Sequence, residues 1–127
     1  MADTSNPGVT LTPVKGCLVA TLHADLHEHS FEHIRTATLA GASRIQAIAV
    51  IFDLSALRLL DQHEFGQLQE LSAMLRLLGC RTVLVGLSAG LVAYLVNNDV
   101  STAGLETERG LEDALERLIP GRMAGHV

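Results

Sequence analysis

Apolar residues recur along this chain in two periods, and the alternation between the periods predicts its elements. Residues 9–14 (VTLTPV) and 17–22 (CLVATL) are strand-like runs separated by Lys15-Gly16, a two-residue spacing suited to a hairpin. Pro13 lacks an N–H and marks the first run as an edge strand. Residues 47–54 (AIAVIFDL) are apolar without alternation until Asp53, the mark of a strand covered on both faces. Residues 82–87 (TVLVGL) read the same way.

Between these runs the period lengthens to that of a helix. Ser30 can cap a helix whose Phe31, Ile34, Ala37 and Thr38 share a face, with Gly41 as a suitable stop. Asp61, with Glu64 three residues on, makes a capping-box start for a long helix. Its apolar stripe runs through Phe65, Leu68, Leu71, Met74, Leu75 and Leu78 to a stop at Gly79. Residues 91–96 form the next helix, and Asn97-Asn98 offers a residue tolerant of a left-handed turn at its end. A short extended piece at 104–106 precedes a last helix with Leu111, Ala114, Leu115 and Leu118 on its face and Pro120-Gly121 as its stop.

Buried strands alternating with amphipathic helices predict an α/β fold. The expected sheet is mostly parallel and four- to five-stranded, with an N-terminal antiparallel hairpin and about four helices. Internal repeats and low-complexity tracts are absent from the sequence.

Composition narrows the partners more than the fold. The 127 residues, 48% of them hydrophobic, suit one domain with one substantial core. That domain is expected over 8–119, between flexible tails at 1–7 and 120–127. A net charge of −5 supplies no basic stripe, which argues against nucleic acid and against anionic membrane surfaces. The few aromatics, Tyr94 with Phe31, Phe52 and Phe65, make no base-stacking surface. Cys17 and Cys80 lie in apolar stretches and no signal-peptide pattern precedes them, so two reduced, buried thiols in a cytoplasmic protein are expected. Gly86, Ser88 and Gly90 interrupt the uncharged stretch 82–98, which favours a buried strand and helix over a membrane span.

Two patterns suggest chemistry. Gly86-Leu87-Ser88-Ala89-Gly90 matches the G-x-S-x-G motif of a nucleophilic serine, which makes a serine hydrolase using Ser88 one alternative. Such a serine needs an imidazole base held by a carboxylate, and the one histidine downstream is His126. A structural role for Ser88 at a tight turn is therefore expected, with no catalytic residue. His23, His27, His29 and His33 crowd one segment beside Asp25 and Glu28, at spacings where neutral imidazoles can bind zinc or copper. Without a cysteine ligand or a recognised metal spacing, solvated histidines are the expectation, with no metal and no cofactor.

The order of short motifs carries a resemblance. Ile51-Phe52-Asp53-Leu54-Ser55, then Leu59-Leu60-Asp61, then Arg76-Leu77-Leu78-Gly79-Cys80, then Val83-Leu84-Val85-Gly86-Leu87 resemble a STAS domain, the fold of bacterial anti-sigma factor antagonists. Within that group the chain looks most like the small single-domain scaffold subunits of the stressosome. The RLLG segment at Arg76 points that way, as do Leu95-Val96-Asn97-Asn98 followed by Asp99-Val100-Ser101, and the closing Gly110-Leu111-Glu112-Asp113-Ala114-Leu115. The likeness runs from about residue 9 to 118.

The resemblance implies a STAS-like fold and a non-catalytic protein-interaction module of a partner-switching system. Its implied partners are a serine/threonine switch kinase or anti-sigma factor and other STAS-domain subunits, in a homo- or hetero-oligomer. In such proteins the loop after the third strand carries an aspartate followed by a serine or threonine, which the kinase phosphorylates. Asp61 matches the aspartate. The acceptor position holds Gln62, with His63 next, and neither accepts phosphate as a hydroxyl does. Phosphorylation adds about two negative charges at a helix N-terminus, whereas glutamine stays neutral. The site is thus expected to be locked in one binding state, or the subunit to be regulated through others. The implied binding surface comprises Leu60, Asp61, Gln62 and His63, with Ser55 and Ser88 as the remaining hydroxyls near that end of the sheet. Some STAS domains bind nucleotides or lipids, so small-ligand sensing is the other alternative; the negative charge and the lack of a Gly-rich phosphate loop weigh against nucleotides.

Overall fold

Three antiparallel strands open the sheet in the computed structural model, which describes residues 5, 6, 8–24, 28–102 and 104–119. β1 (Ser5–Asn6) pairs with β2 (Val9–Val14), and β2 pairs with β3 (Cys17–Leu22). Lys15 and Gly16, with φ of 51° and 83°, both adopt the left-handed conformation that a two-residue turn needs to match the twist of its strands. β1 lies within the stretch expected to be a tail, and it raises the strand count to six. It covers only Val9 and Thr10 of β2, so Pro13 remains on an open edge, where a missing N–H is tolerated.

From β3 onward each strand is joined to a parallel neighbour through a helix. α1 (Glu28–Ile45) leads to β4 (Ala49–Asp53), α2 (Gln62–Leu77) to β5 (Arg81–Val85), and α3 (Ala89–Asn97) to β6 (Glu106–Glu108), before the closing α4 (Leu111–Leu118). Spatial order follows chain order from β1 to β6. One sheet face packs against α1, α2 and α3, where Val50 and Phe52 of β4 join Ile34, Phe65, Leu68 and Leu91. The opposite face packs against α4, where Ala49 and Ile51 join Ala114 and Leu115. Burial on both sides is why residues 47–54 carry no polar alternation.

Several boundaries differ from the sequence expectation. α1 begins at Glu28 and passes through Gly41 to Ile45. Gly41 is a packing gap rather than a stop, since a Cβ there would meet Leu18 Cδ2 at 3.2 Å. Leu78, the C-cap of α2, is 50% exposed, while Ser72 takes a buried place on the stripe. α3 ends through Asp99, whose φ is 52°, whereas Asn98 has φ of −105°. The last strand starts two residues later than the predicted piece, and Leu111 lies at the exposed edge of α4. Pro120-Gly121 falls outside the described residues.

Both cysteines are free and buried, Cys17 in the core beneath α4 and Cys80 in the other, where its Sγ donates to the Ala47 carbonyl at 2.9 Å. Arg81 and Arg117 reach Glu106 at 2.7 and 3.2 Å, and Arg117 reaches Glu108 at 2.6 Å, tying β6 to β5 and α4. Among the described residues no helix is long and apolar enough to cross a membrane.

Candidate functional site

The first turn of α2 meets the last turn of α3. Asp61 caps α2 with extended backbone; its carboxylate accepts the Glu64 N–H at 2.8 Å, and the Glu64 carboxylate accepts the Asp61 N–H at 3.0 Å. This is the capping box read from the sequence, and it fixes where the helix starts. Gln62 then stands at the first helical position, exposed, and its side-chain amide donates to the Asn98 carbonyl at 3.2 Å. Asp61, Gln62, His63, Tyr94 and Asn98 line one open cleft of about 580 Å³.

Leu60 belongs beneath this cleft rather than on it. It is 0% exposed and anchors the loop in the core with Leu57, so it offers no surface to a partner, contrary to its place in the expected set. The neighbouring Leu59, 58% exposed, faces solvent instead.

Ser55 and Ser88 lie apart from the cleft. Ser88 caps α3, its Oγ accepting the Leu91 N–H at 3.1 Å, and its φ of −74° is ordinary extended backbone. The strained turn of a nucleophile elbow is therefore missing at the serine, and the left-handed residue of the motif is Gly86, with φ of 77°. A helix the length of α3 separates Ser88 from Asn98 by roughly 15 Å. The Ser55 N–H donates to Asp53 Oδ1 at 3.0 Å, which places Ser55 at the end of β4 beside Gly86. The six expected residues thus divide into three on the cleft, one below it and two at the ends of β4 and β5.

Tyr94 and Asn98 are cleft residues that sequence reasoning missed. They sit one helical turn apart on α3, and the chain's only tyrosine near an amide was the sole local signal. Nothing within α3 itself indicates that α2 would come to meet it.

The histidine cluster is only partly described. His23 Nε2 lies 2.7 Å from Thr10 Oγ1, linking the end of β3 to β2, and His33 is exposed on α1. Asp25, His27 and the side chains of Glu28 and His29 fall outside the described residues. Among the described residues no three His, Cys, Asp or Glu side chains gather as metal ligands would. Burial pushes both the Cys17 and the Cys80 thiols above their ordinary value, which makes them poor nucleophiles.

Comparison with known proteins places this geometry in context. The family model for the STAS domain matches residues 9–108. RsbS of Moorella thermoacetica, in a serine-to-glutamate variant, superposes with a TM-score of 0.75 at 22% identity over 91% of this chain and 97% of that one. A chain from the stressosome, described as a signal integration and transduction hub, superposes at 0.73 and 22% identity over 92% and 99%. The anti-sigma factor antagonist SpoIIAA in its unphosphorylated form superposes at 0.65 and 21% identity over 87% and 95%. No curated protein matches the sequence. At these identities the structural likeness is one of fold.

Proposed function

This chain belongs to the STAS domain family, and on that premise we propose that it is a non-catalytic protein-interaction module of a partner-switching system. Its partners are a serine/threonine switch kinase or anti-sigma factor and other STAS-domain subunits. The structural neighbours support this reading: one is a stressosome chain, and SpoIIAA is known in both an unphosphorylated and a phosphorylated form.

The observation that carries the proposal is Gln62. It occupies the exposed first position of α2, directly after the capping aspartate, where the resemblance puts a phosphorylated hydroxyl. A side-chain amide there stays neutral at every cellular pH and cannot take a phosphoryl group, so the module is held in one binding state at this site.

Incubating the protein with a serine/threonine switch kinase of a partner-switching system, followed by intact-mass measurement, tests this. No phosphate on the wild type and one on Gln62→Ser is the expected result. Phosphate on Ser55 or Ser88 of the wild type would overturn the locked state. The cleft volume also favours a second reading, small-ligand sensing, because about 580 Å³ lies within the range of small-molecule sites, roughly 300–1,000 Å³. A thermal-shift series with nucleotides and lipids separates the two, since stabilisation by one ligand class supports sensing.

A further inference from the structure

α2 presents side chains at seven-residue intervals to the chain that follows α3. The Gln62 amide donates to the Asn98 carbonyl at 3.2 Å, and the Gln69 amide donates to the Ser101 carbonyl at 2.8 Å. The Arg76 guanidinium stands 3.7 Å from the position that a Cβ on Gly104 would take. Seven residues of helix rise about 10.5 Å and return to nearly the same face, so residues 62, 69 and 76 line one side of α2.

We propose that the chain from Asn98 to Ser101 is a strap clamped along α2, and that Gln62 is its first fastening. The identity of residue 62 is thereby coupled to the position of the end of α3 and to the shape of the cleft between them. The chemistry of the fastenings fits what the strap offers. The end of α3 presents carbonyl oxygens and the negative end of the helix dipole, and a neutral amide donates to them. A carboxylate or phosphate at position 62 would face the same oxygens with like charge, and a serine hydroxyl is too short to span the gap. Asp99 holds a left-handed φ of 52° with its N–H on Val96 and the Val100 N–H on Leu95, so the strap begins from a turn that its fastenings help to hold.

Any effect of the strap on partner choice rests on the function proposed above; the strap itself rests on geometry. Hydrogen exchange tests it without a partner. In Gln62→Ala the amides of Asn98, Asp99 and Val100 are expected to exchange about five-fold faster, the size of one lost hydrogen bond. Gln62→Glu is expected to exceed this at neutral pH and, after correction for the intrinsic pH dependence, to recover on acidification, when its protonated carboxyl can donate again. Gln69→Ala should loosen the amides around Ser101, and His63→Ala should change nothing. Unchanged exchange in both Gln62 variants, or equal acceleration in His63→Ala, overturns the proposal. If Gln62→Glu loses the fold, Gln62→Ala and Gln69→Ala decide the matter by themselves. Failure of the wild type to bind any switch kinase, anti-sigma factor or STAS subunit in pull-down would count against the proposed function and leave the exchange result standing.

Discussion

Gly86 lies so close to Asp53 that no side chain fits between the ends of β4 and β5: a Cβ on Gly86 would stand 2.9 Å from Asp53 Oδ1 and 2.9 Å from Ser55 Cβ. The backbone there is also left-handed, with φ of 77°. Conformation and contact both demand glycine. Gly86→Ala is expected to lower the unfolding free energy by roughly 2–4 kcal/mol, combining the left-handed penalty with an overpacked contact. Gly66→Ala is the opposite case, because that position lies inside α2 with nothing within 4 Å of the added Cβ. It should stabilise by about 0.5–1 kcal/mol. Urea denaturation of the two variants checks both signs.

Three helices end in the same hydrogen-bonded turn but with different residues at its left-handed position. Gln46 donates to Ser43 and Ala47 to Ala42 after α1; Gly79 to Arg76 and Cys80 to Leu75 after α2; Asp99 to Val96 and Val100 to Leu95 after α3. Only Gly79 is the residue that adopts positive φ without steric cost. Gln46→Gly and Asp99→Gly should each stabilise by up to about 1 kcal/mol, the second also by removing an anion from a helix C-terminus. Thermal melts that place either variant below the wild type would contradict this account of the turns.

Ser88 and Asp61 act as helix caps, and their removal should be felt as stability. Ser88→Ala and Asp61→Ala are each expected to cost about 1 kcal/mol, since each removes the side-chain oxygen that accepts a first-turn N–H, while in Asp61→Ala the backbone N–H of residue 61 can still donate to Glu64. An activated-ester assay on the same proteins completes the test. Turnover by the wild type that Ser88→Ala abolishes would revive the hydrolase reading.

The buried thiols make a pH prediction. Each titrates higher in the folded chain than the ordinary value of 9.0, so the fold favours the neutral form. This contribution to stability is fully present below the unfolded value and is lost as pH rises from there through the folded value. Unfolding free energy should therefore fall above about pH 9, and less steeply in Cys17→Ala and Cys80→Ala compared with their own neutral-pH values. At pH 8 both thiols should resist alkylation in the native protein and react once it is unfolded.

Much of the fold was legible because local chemistry and packing agree. Lys15-Gly16 announces a hairpin and Asp61 with Glu64 announces a helix start, since each needs only neighbours within three or four residues. Gly41 shows the limit of such reasoning. As a glycine near the end of an amphipathic run it looked like a stop, and only the approach of Leu18 and Leu11 from the neighbouring strands explains why the helix carries on through it.

The candidate site divides along the same line. Residues 60–63 were visible from the capping aspartate and the resemblance, but their exposure was not: a three-residue stretch holds one fully buried leucine and an exposed amide beside an exposed carboxylate. Tyr94, Asn98 and the strap were invisible, because they reach α2 across more than thirty positions of chain. The sequence alone determined the order of strands and helices from residue 9 onward, the net negative charge and the neutral residue after Asp61, all of which follow from residue type and short-range spacing. Which side chains share a cleft, and that Gln62 fastens the end of α3, depended on how the helices pack over the sheet, a long-range geometry that no local pattern encodes.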